Sequence, residues 1–396
     1  MRGGEVPAGR RVAQWRTRRR MTQQMLADRL GKSKSWVDKV ERGVRALDRV
    51  SVIEDLAKVL RVDPAVLLGR TASPSAVTVA VDGIDAVRAA LARHDLPAAP
   101  SAGLAAPPVA ELDRRVGHAW LTYQHADYPY LLRLLPGLLG DTRHAGRDHD
   151  TAGLLVQVYR LTASVLVKLG EPDLAWLAAD RAMTAAGTDP LRAAIAAIPL
   201  GQALRALGRG QLAHAVTVSA ARWVAPPTPD EAPADRLSVL GTLLVESALA
   251  AASCGDPHSV RTLTGWAADI AERVGDGHDH HWTTFGPTAL ALARVTAAVA
   301  LGDVAEAVSL HEQLARRAGW ARLPAEHRAA HLIDVARAYL LLGDLGRAGR
   351  LLVEADGVAP AETRSRPAAR TVIAGVVRGG PAGAGVARLA TALGIG

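Results

Sequence analysis

Apolar residues recur at three- and four-residue intervals along most of this chain, the spacing that gives an α-helix one buried face. In the first 70 residues the periodic stretches are short and sharply punctuated, and they predict five helices. The first runs from about Gly9 to Arg19, with Val12, Trp15 and Arg16 at helical spacing. The second, Gln23–Leu30, follows Thr22, a capping residue, and stops at Gly31, where glycine takes the left-handed conformation cheaply. Ser33 caps a third helix over about Lys34–Arg42, and Gly43 ends it. A fourth covers about Ser51–Leu60. Asp63-Pro64, a cap followed by proline in the first helical position, opens a fifth that reaches Leu68.

Residues 71–110 break the pattern. Thr71–Val79 is small and polar, Pro97–Pro108 is rich in Ala and Pro, and between them Ile84–His94 keeps helical spacing, so the stretch reads as a linker with a short helix. From 111 to 396 the pattern is helical and it repeats. A helix ends in Gly and an Ala follows five residues later at Gly170/Ala175, Gly208/Ala213, Gly302/Ala307 and Gly343/Ala348, with Val260 in that place after Gly255. Successive glycines are 38, 47, 47 and 41 residues apart, room for two helices of about 15 residues each. The Gly makes the turn and the small residue lets the second helix lie close on the first. A proline-rich stretch, Ala225–Ala234, interrupts the array. The chain therefore divides into residues 1–70, 71–110 and 111–396.

Composition supports an all-α reading: 49% of residues are apolar, mostly Ala, Leu and Val, and only 4% are aromatic. Charge changes the picture more. Residues 1–70 hold 17 Lys and Arg against 8 Asp and Glu, whereas residues 71–396 hold 30 against 31. The whole positive excess sits in the first segment, where it attracts polyanions. Arg outnumbers Lys 42 to 5, a codon-bias signature that argues against reading any single Arg as functional. The one cysteine, Cys254, ends the apolar run 247–254 and is expected to be a small buried hydrophobe. The N-terminus lacks the apolar run of a signal peptide, and Arg294 interrupts the apolar stretch Ala289–Leu301, so a cytoplasmic protein without membrane spans is expected.

The run TQQMLADRLGKSKSWVDKVERG, residues 22–43, resembles the helix-turn-helix of the Xre, or phage-repressor and Cro-like, family. The match extends through Val12, Trp15, Met21, Leu47, Ile53, Leu56, Ala57 and Leu60, and implies a five-helix lambda-repressor-like DNA-binding domain. The residues agree with it physically. Leu26, Ala27 and Leu30 stripe the second helix and Val37 and Val40 the third, which leaves the N-terminal half of the third helix free to enter a major groove. The family's base-reading positions fall on Lys34, Ser35, Asp38 and Lys39, with Gln23 at the start of the second helix. Lys34 donates to guanine edges in this reading, and Asp38 either accepts from cytosine or orients Lys39. Thr22, the helix beginning there, and Arg42 are expected at backbone phosphates, with Ser33 at the adjoining cap. Trp36 either stacks on a sugar or packs against the fourth helix. Arg16, Arg18 and Arg19 are either further phosphate contacts or solvated charge. Arg20 departs from the family, standing where a glycine usually ends the first helix.

Leu332–Pro360 resembles a tetratricopeptide repeat, with Val335, Ala336, Tyr339, Leu342, Gly343, Ala348, Leu352, Ala355 and Pro360 at that family's offsets. Partial matches occur at Leu200, Gly201, Gly208, Ala213 and Ala220, and at Ala163, Gly170, Ala175 and Ala182. The resemblance implies a tetratricopeptide-like helical-repeat superhelix whose concave groove binds a peptide or partner. The layout resembles actinobacterial regulators with a Xre-type head and a tetratricopeptide-like body and, in architecture alone, the peptide-sensing RRNPP group. The expected function is a sequence-specific, DNA-binding transcriptional regulator. It binds a palindromic operator as a homodimer, and its body senses a peptide or small-molecule effector, dimerises, or does both. The competing reading makes the body a ligand-free interaction scaffold.

Other features carry less. His278, His280 and His281 with Asp276 and Asp279 read as a polar loop, because adjacent loop residues seldom converge on one tetrahedral metal site. Phe285-Gly286-Pro287-Thr288 reads as a turn into the next helix. Trp120, Tyr123, Tyr128 and Tyr130 cluster in a chain poor in aromatics and belong either to a core or to a ligand pocket, with His118 and His125 expected at the surface. No G-x-S-x-G, H-E-x-x-H or Walker loop occurs, and Gly379–Gly385 lacks phosphate-binding spacing, so neither enzymatic activity nor a cofactor or metal is expected.

Overall fold

A computed structural model describes residues 8–19, 21–45, 52, 55, 56, 59, 60, 75–93, 107–145, 149–227 and 232–395, and every regular element among them is helical. The chain forms two units, residues 1–80 and 81–396.

In the first unit, α1 is Ala8–Arg18, α2 Gln23–Leu30 and α3 Lys34–Glu41. The capping expectations hold. The Thr22 hydroxyl accepts from the Met25 amide at 3.1 Å and that of Ser33 from the Trp36 amide at 3.2 Å, while Gly31 and Gly43 both have positive φ. Val12, Met21, Leu26, Ala27, Val37, Leu56 and Leu60 form a buried core, with Trp15, Leu30 and Trp36 packed on it. Residues 52, 55, 56, 59 and 60 are helical, as expected of the fourth helix. The fifth predicted helix, Asp63–Leu68, and Arg20, Leu47, Ile53 and Ala57 lie outside the described residues.

The boundary between the units falls within α4, Ser75–Ala92. This helix is longer than the linker helix read from the pattern. Val87, Ala90 and Leu91 are buried in the core of the second unit, because their spacing makes one apolar stripe that the core can cover.

Helical hairpins follow: α5 (Val109–Gln124) with α6 (Tyr128–His144), α7 (His149–Leu169) with α8 (Pro172–Ala186), and α9 (Pro190–Ala206) with α10 (Gly210–Val224). Then come α11 (Ala234–Ser253) with α12 (Pro257–Val274), α13 (Pro287–Leu301) with α14 (Val304–Leu314), and α15 (Ala325–Leu341) with α16 (Leu345–Val358). The short α17 (Pro360–Ser365), α18 (Pro367–Gly379) and α19 (Ala384–Ala392) end the unit. The turn glycines 170, 208, 255, 302 and 343 all have positive φ, a conformation costly for a side chain with a Cβ. The residues five positions on, Ala175, Ala213, Val260, Ala307 and Ala348, are all buried.

The first helices of the hairpins form an inner row in which each touches the next. The row closes on itself: α15 contacts α5, and α17 contacts α7. A buried ionic network holds this closure. Lys168 on α7 places its Nζ 2.7 Å from carboxylate oxygens of both Glu326 on α15 and Glu362 on α17. The Tyr128 hydroxyl donates to Glu362, and Arg366 lies between Glu362 and Asp334. Burial alone would push the Glu326 carboxyl up, but His327 and Lys168 hold it well below the usual carboxylate range.

Three helical stretches, Asp150–Leu169, Ala234–Ser253 and His280–Leu301, are long and apolar enough to cross a membrane by length and composition alone. Half or more of each is buried against neighbouring helices, so the apolar surface is used in packing. Cys254 corrects the sequence reading. It is exposed, because it caps the C-terminus of α11 at the turn into Gly255 and no longer follows the helix's buried stripe.

One histidine pair is expected to make the second unit acid-sensitive. The ring nitrogens of His311 on α14 and His331 on α15 lie 2.9 Å apart, with Trp320 edge-on to His331. Burial, and then the neighbouring His311, push the His331 imidazole down to about 3. An unfolded histidine protonates near 6.5, so between that pH and about 3 the unfolded chain binds more protons and stability falls as pH falls. Taking the protein from pH 7.5 to 4.5 is expected to cost about 2–3 kcal/mol at this residue. His331→Phe should flatten the melting temperature over that range; an unchanged slope would reject the assignment.

Candidate nucleic-acid interface and body cavity

The sequence places a short helix with its own cap directly after a glycine stop, and the structure shows what that does. The apolar stripe of α3, Val37 and Val40, is buried, which turns Lys34, Ser35 and Lys39 outward to solvent. Both lysines lack an ion-pair partner among the described residues. Thr22, Ser33 and Arg42 are also exposed, at the two helix starts and at the end of α3.

Other predicted residues are engaged internally. Asp38 pairs with Arg42, Oδ2 to Nη2 at 2.7 Å, and does not orient Lys39. Both partners are partly exposed, so the pair is weak and leaves Arg42 free to exchange it for a phosphate. Gln23 donates from Nε2 to Glu41 Oε2 at 2.9 Å. Trp36 is half-buried against the small core. The side chain of Arg18 lies outside the described residues, and Arg19 donates to the Leu60 carbonyl at 3.2 Å.

Arg16 is a structural residue, not a free surface charge. Its guanidinium donates to Glu41 at 2.6 and 3.0 Å and to the Met21 carbonyl at 2.7 Å. The hydrogen bond to Glu41 raises the pKa of Arg16, with burial opposing. Glu41 therefore joins α1, α2 and α3, and sets the angle at which α3 presents its lysines. Sequence reasoning missed this role, although Glu41 stands in the Glu-x-Gly signature and Arg16 at helical spacing on α1. Gly9 is the second device. A Cβ there would overlap the backbone carbonyl of Val40, so α1 approaches α3 more closely than any other residue permits. Gly9→Ala is expected to destabilise the first unit by about 1–3 kcal/mol. Amide exchange of the full chain should speed up over α1–α3 alone; unchanged rates there would show that the helices separate without cost.

Residues 8–68 match the family model of the helix-turn-helix domain. No curated protein matches the chain. Among solved structures, Bacillus thuringiensis PlcR in complex with the peptide PapR7 and DNA is similar at 12% identity and a TM-score of 0.37, over 79% of this chain and 100% of that one. A likeness that loose transfers no detail.

In the second unit, the inner row lines a cavity of about 200 Å³ that is partly open to solvent. Its wall joins Trp120 and Tyr123 from α5, Arg160 from α7, Gln202 from α9, Glu246 from α11, Leu292 from α13 and Glu326 from α15. Trp120 and Tyr123 are thus both core residues and cavity lining; Tyr128 is buried, and Tyr130, His118 and His125 are exposed. The histidine-containing loop borders this cavity. His281, Trp282 and Thr284 have φ near +50°, a strained conformation for such side chains. Its acids are used in hydrogen bonds. Asp276 accepts from the Thr288 amide at 3.0 Å and its hydroxyl at 2.5 Å, and Asp279 accepts from the Thr284 amide at 2.7 Å. The Phe285–Thr288 turn leads into α13 as expected.

Proposed function

We propose that this chain is a sequence-specific DNA-binding transcriptional regulator in which α3 reads base edges in the major groove and the helical body senses an effector and dimerises. The observation that carries the reading is the exposed pair Lys34 and Lys39 with Ser35, on a capped helix whose other face is buried. The charge excess of residues 1–70 supports it, since phosphate neutralisation supplies most non-specific affinity. In this reading Lys34, Ser35, Asp38 and Lys39 face bases, and Thr22, Gln23, Ser33, Trp36 and Arg42 position the domain on the backbone. The chain is cytoplasmic and has no catalytic activity of its own.

One helix-turn-helix reaches one half-site, too few contacts for tight specific binding, so two copies on a palindromic operator are expected. Trp176, Trp223 and Trp266, on α8, α10 and α12, are each about half exposed and offer apolar surface to a second copy. Selection of bound fragments from the source genome, followed by mobility-shift titration in rising salt, tests the reading. Preferred fragments should share an inverted repeat, and affinity should fall about 10³–10⁵-fold between 50 and 200 mM salt if each dimer neutralises about 6–10 phosphates. Binding of random and genomic DNA alike would defeat it, and a monomer on the operator by light scattering would defeat dimerisation.

A further inference from the structure

Arg160 is 3% exposed, yet no carboxylate lies within ion-pair distance of it among the described residues. Its guanidinium is held instead by neutral groups. It donates to the backbone carbonyls of His281 and Trp282, the latter at 3.1 Å, and sits over the Trp120 ring at 4.7 Å from the centroid. Trp120 is itself stacked parallel to Trp282, and its buried Nε1 has no hydrogen-bond partner. Burial lowers the Arg160 pKa to about 10 against the pull of Asp279, so the group is still a cation at neutral pH.

The other charges facing the cavity are neutralised. Glu246 accepts from Gln202 at 2.7 Å and Arg205 at 3.1 Å, and Glu326 is bound by Lys168 at 2.7 Å and His327 at 2.9 Å. The wall thus has one buried cation lacking a counter-charge, stacked on an indole whose buried N–H is unused. Burying a charge this way is costly unless something pairs with it. The α11 and α13 sides contribute the apolar Val245, Leu249, Leu292 and Ala293 among the polar Thr242, Glu246 and Thr296.

From this arrangement we infer that the cavity of the helical body binds an organic acid, its carboxylate on Arg160 and its apolar portion against the apolar residues of α11 and α13. The inference names the effector class and so rests on the sensing role proposed above. A carboxylate matches the planar guanidinium in shape and charge. The cavity is partly open to solvent, so it admits the acid end of a longer molecule as well as a small acid.

The test is calorimetric titration of the full-length protein with octanoate, 3-phenylpropionate and N-acetyl-Leu-Phe, each against its uncharged amide. At least one acid should bind ten-fold or more tightly than its amide and raise the melting temperature. Preference for the dipeptide names a peptide end as the carboxylate's source, and preference for the simple acids a small metabolite. Arg160→Gln should abolish the difference between acid and amide. Because that change also releases the 281–282 loop, Ala289→Phe, which fills the cavity and leaves Arg160 in place, serves as a second variant and should abolish binding. The inference is overturned if no acid binds at millimolar concentration, if amides bind equally, or if Ala289→Phe binds as the wild type does. DNA binding by the same preparation separates the two readings. Retained operator binding without acid binding removes this inference alone, and acid binding without any DNA preference removes the regulator instead.

Discussion

Lys168→Met is expected to lower the stability of the helical body by about 3–5 kcal/mol, the range found when one partner of a buried ion pair is removed. The ammonium lies 2.7 Å from both Glu326 and Glu362, and Glu362 is fully buried. Methionine preserves the stem's packing, so the loss isolates the charge. Glu326 keeps His327 at 2.9 Å, but Glu362 is left with Arg366 at 3.6 Å. At about 2–4 °C per kcal/mol for a unit of this size, the melting temperature should fall by roughly 10 °C. The pH dependence supplies a second signature. In the wild type Glu326 is held below its unfolded pKa, so its contribution is present above the ordinary carboxylate pKa and is lost as pH falls through the folded value. In the variant a buried carboxylate short of one cation is relieved by protonation. The gap between variant and wild type should therefore narrow from pH 8 to pH 5, and adding Glu362→Gln should recover part of the loss. A change below about 2 °C at pH 8 would show that water compensates the carboxylates and that the network does not hold the row closed.

The double substitution Lys34→Ala, Lys39→Ala should remove operator preference while leaving the fold intact. Both side chains are exposed and unpaired among the described residues, and alanine is the better helix former, so melting should not change. A base-edge contact discriminates by about 1–3 kcal/mol, so losing two should weaken operator binding by roughly 10²- to 10⁴-fold while binding to random duplex falls far less. Asp38→Asn is the informative companion. It releases Arg42 from its 2.7 Å partner and removes a negative charge from the groove-facing side, so affinity should rise for random duplex while preference changes at the base that Asp38 faces. Unchanged operator preference in the double variant would mean that another surface reads the DNA.

How much of this was legible in the sequence follows from what each feature depends on. The caps Thr22 and Ser33, the stops Gly31 and Gly43, and the five turn glycines of the body depend on bonds within a few residues, and the structure shows them where the pattern put them. Local chemistry also marked Lys34 and Lys39 as outward, since their place on α3 follows from the buried Val37 and Val40. Arg16 and Glu41 are 25 positions apart, and nothing in their spacing says that they meet. Cys254 was misplaced because a run of apolar letters does not reveal where the helix ends.

The sequence by itself determined the helical class, the turns and the exposed cationic helix, because capping, glycine stereochemistry and the 3.6-residue period act over one or two turns of chain. Only the tertiary structure decided that the repeat row closes from α15 back to α5. It alone decided that Lys168 and Glu362 meet in the core, and that Arg160 is buried without a counter-charge. Those outcomes follow from small packing rotations added over six successive hairpins, and from the electrostatics of groups as many as 234 positions apart, neither of which a local pattern encodes.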